Sequence, residues 1–284
     1  MKAIDTVVIP AAGLGTRLFT WTKESPKEMV PIFYKTKDDK ILIKPLLEII
    51  FENLFDSGFR NFCMIIGRGK NTIEDHLGPN YDFIDILEKK GEYEYSKILQ
   101  KLYKKIEKSS IFWIRQHSLK GIGPATLLSE KIIADKPFLF HAGDLYIPQK
   151  KYLNELMEVH NSQNPSATIG LQKVKDPRQF GVAELKKFDK MKFKVTHVVE
   201  KPKKPLTNYA LTGVNIFEPE IFDAIRKTKI GVNGEIQLTD SIQTLIDTNH
   251  LVMASIMNSR AQCIDIGTPK NYFKALSHSF NSNI

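Results

Sequence analysis

Residues 7–32 read VVIPAAGLGTRLFTWTKESPKEMVPI. Thr6 to Ala12 is a short, apolar, β-branched run ending in small residues, which predicts a buried strand. Gly13 and Gly15 then allow a sharp turn and a close backbone approach to a ligand. A strand that runs into a glycine turn points successive N–H groups outward and makes an anion-binding concavity. Arg17 adds a planar donor fork suited to phosphate, and Lys23 and Lys27 add point charges. The stretch is built for a polyphosphate. Two other glycine loops are excluded by spelling. Leu18 stands where a dinucleotide fingerprint needs its third glycine, and no Gly-Lys-Ser/Thr tripeptide follows either glycine.

Outward from this turn, the order is mostly strand, then helix. Helices are expected over 45–57, 71–77, 125–133, 151–161, 236–247 and 269–277. A charged helical excursion over 81–108 should break near Gly91. Strands are expected over 61–66, 111–116, 138–141, 168–174, 210–217, 252–257 and 262–266. A hairpin should turn at Phe188-Asp189-Lys190. Such alternation predicts an α/β fold with a doubly wound, mainly parallel sheet and a smaller β-rich part after about residue 176. Sheets of this kind bind ligands outside the carboxyl ends of their strands, so the strand ends are where chemistry is sought.

One strand ends in Arg115-Gln116 before Gly121-Ile122-Gly123, and Gln116 offers the donor and acceptor that a base edge needs. Another ends in Gly143-Asp144, and a later one carries Asp265 before Gly267. Two aspartates as hard oxygen ligands, in a chain with a phosphate turn, point to a shared Mg²⁺ held jointly with substrate phosphates. Glu235, Gln237 and Asp240 look chemical, but a helix cap or buttress is the favoured account of Thr239-Asp240. Trp113 and Phe112 are expected in the core, as is His141 at its strand end, and Lys203 and Lys204 in solvent.

Composition bounds the function classes. The chain has 284 residues, 42% of them hydrophobic and 26% charged, enough for a sizeable core. No long apolar run argues for a membrane span, and the N-terminus has no signal-peptide pattern. Cys63 and Cys263 lie in apolar runs and cannot build a disulfide framework or metal spacing alone, so a cytoplasmic location is expected. The net charge of +9 is scattered and lacks aromatic–basic interleaving, which argues against nucleic acid and for a small polyanion.

AAGLGTR, PKEM, RQ with GIGPA, GDL, FGVA, VVEKPK, GEIQLTD and IDIGTP occur in this order. Together they resemble the bacterial-type UTP–glucose-1-phosphate uridylyltransferase family of sugar nucleotidylyltransferases, over residues 5–275. The resemblance implies a single Rossmann-like domain, with a nucleotide-binding part (1–175) and a sugar-phosphate-binding part (176–284). It implies uridylyl transfer from UTP to glucose 1-phosphate with Mg²⁺, commonly in a dimer or tetramer. Ala12, Gly13, Gly15, Glu28, Gln116 and Gly121 would bind the nucleotide. Arg17 and Lys27 would bind its triphosphate, and Asp144 and Asp265 the metal. Gly181, Glu200 and Gly213 would contact the sugar and Lys201 its phosphate.

Three departures from the family pattern stand out. Thr20-Trp21 replaces a Pro-containing pair, Phe180 replaces a common Tyr, and His141-Ala142-Gly143-Asp144 replaces apolar-Pro-Asp. One rival reading is a glucose-1-phosphate thymidylyltransferase using dTTP, since only a methyl separates the two bases. The other is an inactive nucleotide-sugar binding module, against which stand Arg17, Lys27, Asp144, Lys201 and Asp265 together.

Overall fold

The structure, a computed structural model, describes residues 4–36, 38–149, 151–189, 192–231, 234–257 and 263–281. The chain opens with β1 (Thr6–Ala11) and three 3₁₀ turns, Thr16–Leu18, Trp21–Lys23 and Lys27–Met29. A hairpin of β2 (Pro31–Lys35) and β3 (Ile41–Pro45) follows, then α1 (Leu46–Asp56) and β4 (Asn61–Ile66). Next come α2 (Asn71–His76), α3 (Tyr81–Lys89), α4 (Tyr93–Glu107) and β5 (Ser110–Arg115). Then α5 (Ile122–Leu127), α6 (Glu130–Ile133), β6 (Phe138–His141), β7 (Leu145–Tyr146), α7 (Lys151–Gln163) and β8 (Ala167–Lys173). The second part holds β9 (Gly181–Asp189), β10 (Lys192–Glu200), β11 (Tyr209–Phe217) and α8 (Glu220–Lys227). It closes with α9 (Leu238–Asp247), β12 (Val252–Ile256), β13 (Ile264–Asp265) and α10 (Pro269–Asn281).

Nine strands form one sheet in the order β5-β4-β1-β6-β11-β8-β12-β10-β9. It is mainly parallel, with β10 and β11 running against the other strands. β9 also pairs with β11 through Val182↔Ala210, so β11-β8-β12-β10-β9 curls back on itself. This closed group holds the strands that follow residue 176, as the second part of the sequence suggests, together with β8, which precedes that boundary.

Period-two burial on the central strands divides the core. Val7, Ile9, Phe62 and Met64 pack on one face, against Phe51 of α1, Tyr103 of α4 and Leu153 of α7. Val8, Cys63 and Ile65 point to the other, into a cluster with Ile225 of α8 and Ile242 of α9. Apolar side chains on both faces of one strand mark a sheet covered on both sides by helices. No described helix is long and apolar enough to cross a membrane.

Four expectations change. The helix expected over 125–133 starts earlier, at Ile122, and breaks in two where the Ser129 hydroxyl donates to the Thr126 carbonyl (2.7 Å). The strand expected over 262–266 covers only Ile264–Asp265; Gln262, like Lys190 of the expected hairpin turn, lies outside the described residues. The β2–β3 hairpin and α8 were not expected at all. Phe112 is 39% exposed because β5 is an edge strand of the sheet, and Trp113 is only partly buried. His141 is in the core as expected, 1% exposed, with its ring nitrogens on Tyr152 Oη (2.9 Å) and the Ala142 carbonyl (2.8 Å). Lys203 and Lys204 are exposed.

Candidate active site

β1 delivers the chain to the turn at the carboxyl edge of the sheet. Gly15 takes a left-handed conformation (φ 64°), and its carbonyl accepts from the Thr22 hydroxyl (2.8 Å), which ties the loop down. Beside it opens a cleft of about 420 Å³. Ala12, Gly13, Gly15, Lys27, Glu28, Gln116, Gly121 and Asp144 all line it, so the structure brings together the nucleotide set read from the sequence. Gln116 continues the β4–β5 ladder, its N–H donating to the Ile66 carbonyl (2.9 Å). Gly121 is fixed by flanking bonds. The Ile236 N–H donates to the Lys120 carbonyl and the Gly123 N–H to the Ile236 carbonyl, both at 3.0 Å. That pairing carries Glu235 into the cleft wall, where the Gln237 amide holds it at 2.9 Å. Glu235, which looks chemical from sequence but has no place in the expected nucleotide set, stands in the wall of the cleft.

The two aspartates meet through a short ladder. β7 pairs with β13 in the register Leu145↔Asp265, and the Ile266 N–H donates to the Asp144 carbonyl (3.0 Å). Lys27 comes from the 3₁₀ turn opposite and places Nζ 2.5 Å from Asp144 Oδ2. Both side chains are largely buried, 18% and 16% exposed. Burial pulls the Lys27 ammonium down, but the Asp144 and Glu28 charges and the hydrogen bond to Asp144 hold it above its ordinary value. Asp144 is held below its ordinary value: burial pushes it up, and Lys27, a backbone hydrogen bond and Arg17 together outweigh burial. Asp265 is pushed up by burial and by the Asp144 charge, although the Gly267 N–H donates to its Oδ1 (2.7 Å). Arg17 reaches the same turn: a Cβ on Gly267 would fall 2.7 Å from the Arg17 guanidinium and 2.8 Å from Asp265 Oδ1.

Beneath the cleft is a buried pair. Glu28 is 1% exposed and accepts from Lys70 Nζ at 3.1 Å, with the Lys70 side chain only 8% exposed. Burial raises the Glu28 carboxyl, with Lys70 and Lys27 opposing the rise. The expected Glu28 is therefore in the wall with its carboxylate on Lys70, a partner that sequence reading missed. Lys23 stands apart, 69% exposed beside Glu24.

The third group sits at the base of the β9–β10 hairpin, where Gly181 pairs with Glu200. Thr239 of α9 donates to Glu200 Oε2 (2.7 Å), and a Cβ on Gly181 would lie 2.7 Å from that hydroxyl. Glycine at 181 is what lets the two approach. Thr239 thus buttresses a candidate site residue from another element. Lys201 adopts a left-handed backbone (φ 44°), with its N–H on the Phe180 carbonyl (3.0 Å) and its Nζ 3.2 Å from Glu200 Oε1. Gly213 (φ 79°) lies against Ala142 and Leu145, and its carbonyl accepts from the Ala142 N–H (3.0 Å).

A doubly wound sheet whose strand ends gather a glycine turn, basic side chains and two neighbouring aspartates has the architecture of an enzyme acting on nucleotide phosphates. Comparison with known proteins specifies the class. The sequence profile of the nucleotidyl transferase family matches residues 6–281, nearly the whole chain, and the chain belongs to that family. It is a nucleotidyltransferase. The UTP–glucose-1-phosphate uridylyltransferase of Bacillus subtilis is 34% identical over 250 residues, covering 86% of this chain and 81% of that protein. That of Staphylococcus epidermidis is likewise 34% identical over 250 residues, covering 86% and 82%. A solved UDP-glucose pyrophosphorylase in complex with UDP-glucose superposes with a TM-score of 0.84 at 26% identity, covering 99% of this chain and all of that one. A UTP-bound enzyme of the same name from Acinetobacter baumannii gives 0.83 at 26% identity, covering 97% and 93%. The motif resemblance and these comparisons agree.

Proposed function

We propose that the protein transfers a uridylyl group from UTP to α-D-glucose 1-phosphate, releasing UDP-glucose and pyrophosphate, with Mg²⁺ as cofactor. The observation that carries this reading is the meeting of Lys27, Asp144 and Asp265 beside the glycine-turn cleft. The names of the 34%-identical relatives support the choice of substrates.

The reaction needs no protein nucleophile. A phosphate oxygen of glucose 1-phosphate attacks the α-phosphorus of UTP, and the bond to the departing pyrophosphate breaks as the new P–O bond forms. Two polyanions must be held in line, so the protein's work is positioning and charge neutralisation. Positioning contributes up to ~7–11 kcal/mol in favourable cases. The base lies against Ala12, Gly13, Gln116 and Gly121, with Glu28 held by Lys70 under that end. Arg17 and Lys27 neutralise the β- and γ-phosphates. Lys201 takes the sugar phosphate, while Glu200, oriented by Thr239, and the backbone at Gly181 and Gly213 meet the hydroxyls.

Asp144 and Asp265 fit a Mg²⁺ ion. They are hard oxygen donors, Asp144 directly before β7 and Asp265 on the paired β13, and the repulsion of Asp265 by Asp144 is what a divalent cation relieves. When bound, Mg²⁺ supplies charge neutralisation at the nucleotide phosphates.

The test is pyrophosphate release with Mg²⁺, crossing UTP and dTTP against glucose 1-phosphate and galactose 1-phosphate. Release that is fast only with UTP and glucose 1-phosphate is expected. Equal rates with dTTP would show a permissive base pocket. No release with any pair would refute the assignment.

A further inference from the structure

The Lys27 ammonium stands between two possible partners. On one side is Asp144 Oδ2 at 2.5 Å, and on the other the glycine turn, where a Cβ on Gly13 would lie 3.5 Å from Nζ. A divalent cation on Asp144 would need a carboxylate oxygen at about 2.0–2.1 Å. The ammonium takes one of the two oxygens, Oδ2, and a cation on either oxygen would stand close beside that charge, which brings strong repulsion in a buried site. The cation is therefore bound weakly for as long as Lys27 keeps its place on Asp144. The adjacent turn, with its outward N–H groups, is where a polyphosphate would offer the ammonium a new anion.

We propose that Lys27 is a built-in counter-ion for Asp144, competing with the divalent cation, so that the cation binds well only when a polyphosphate draws Lys27 away. The proposal rests on the reading of Asp144 and Asp265 as cation ligands. Its consequence is reciprocal: polyphosphate favours the cation, and the cation frees Lys27 for polyphosphate, so the two bind with positive coupling. It also explains how two neighbouring buried carboxylates coexist. One is paired with Lys27, and the other accepts the Gly267 N–H. In this role Lys27 guards the metal position as well as binding phosphate, and it suppresses loading by free cation.

The experiment titrates the full-length protein with Mn²⁺ alone, following free Mn²⁺ by electron paramagnetic resonance, with no nucleotide present. Lys27→Met and Lys27→Gln remove the charge with different shapes, so failure of one to fold leaves the other, and circular dichroism checks both. Lys27→Arg keeps a cation. The neutral variants should bind Mn²⁺ roughly tenfold or more tighter than the unmodified protein, within the range usual for coupled sites. Lys27→Arg should not gain. Adding Asp144→Asn to the neutral variants should remove the gain. If the neutral variants bind Mn²⁺ no tighter, while Asp144→Asn still weakens binding, competition is overturned and the carboxylate reading stands. If Asp144→Asn changes binding in no background, the carboxylate reading fails and the proposal with it.

Discussion

Replacing Lys70 by Met tests whether the pair beneath the cleft is an ion pair or two neutral groups. The Lys70 side chain is 8% exposed and Glu28 1%, at 3.1 Å, so removing the ammonium strands a carboxylate in the interior. Losing one partner of a buried pair costs about 3–5 kcal/mol. Lys27 also opposes the Glu28 charge, which places the expected loss near the lower end, about 3 kcal/mol. The burial that already raises the Glu28 carboxyl acts more strongly once Lys70 is gone. A carboxyl whose folded-state pKa lies above its unfolded value stabilises the fold at low pH and loses that contribution as pH rises. The deficit of Lys70→Met against the unmodified protein should therefore shrink from pH 8 to pH 6. Groups that titrate equally in both proteins cancel in the difference. Urea unfolding of Glu28→Gln, Lys70→Met and the double variant gives a cycle. The double variant should recover more than half of the loss, because no charge is then stranded. A loss below about 1 kcal/mol, or one that is additive and independent of pH, would refute the reasoning.

Three further outcomes are expected. Lys201→Ala should raise KM for glucose 1-phosphate about tenfold or more while KM for UTP stays within about twofold, as loss of one charged phosphate contact implies; an effect confined to UTP would show the two phosphate sites wrongly divided. Thr239→Val removes the 2.7 Å bond to Glu200 at nearly constant volume. A bond to a charged group contributes about 1.5–3 kcal/mol, so weaker use of the sugar phosphate is expected at unchanged use of UTP, and unchanged kinetics would remove Thr239 from the site. His141 and His160 are both pushed down by burial from the ordinary 6.5 to about 4, so the unfolded chain binds protons first and stability falls as pH drops through that window. The full effect approaches about 3 kcal/mol per histidine at the acid end. Urea midpoints that stay level between pH 6.5 and 5 would contradict it.

Which parts of this molecule could be read from sequence follows from the range of the forces involved. Val7, Val8 and Ile9 in one short run announce a strand covered on both faces. Gly58 and Gly91 (φ 105° and 76°) end helices by local conformation, and both boundaries were legible. The β2–β3 hairpin was not: prolines at 31 and 45 and the polar stretch between its strands disguise it, and it lies outside the main sheet. Nor does the local pattern of β11 reveal that it runs against β6 and β8, because both faces of a central strand are apolar in either direction. Within the candidate site, residues whose type suggests a chemistry could be singled out from sequence, and the structure places them near one another: Arg17, Lys27, Asp144, Asp265. Lys70 and Thr239 could not. Each acts through one bond to a residue far along the chain, and a lysine beside a short helix or a threonine in its first turn has an ordinary local explanation.

The ring closed by β9 and β11 has a consequence for the proposed reaction. Glu200 pairs with Gly181, whose neighbour Val182 pairs with Ala210 on β11. Three residues on, the Gly213 carbonyl accepts from Ala142, and Gly143 and Asp144 follow. A backbone path of hydrogen-bonded strands therefore runs from the proposed sugar contacts to the proposed cation ligands. Side chains alone could hold each anion tightly and still leave the distance between them undefined. In-line displacement needs that distance fixed, because a misplacement of about 1 Å can cost a hundredfold in rate. Under the proposed reaction the sheet would supply this constraint, tying the backbone at Glu200, next to Lys201, to the strand end that carries Asp144, the partner of Lys27.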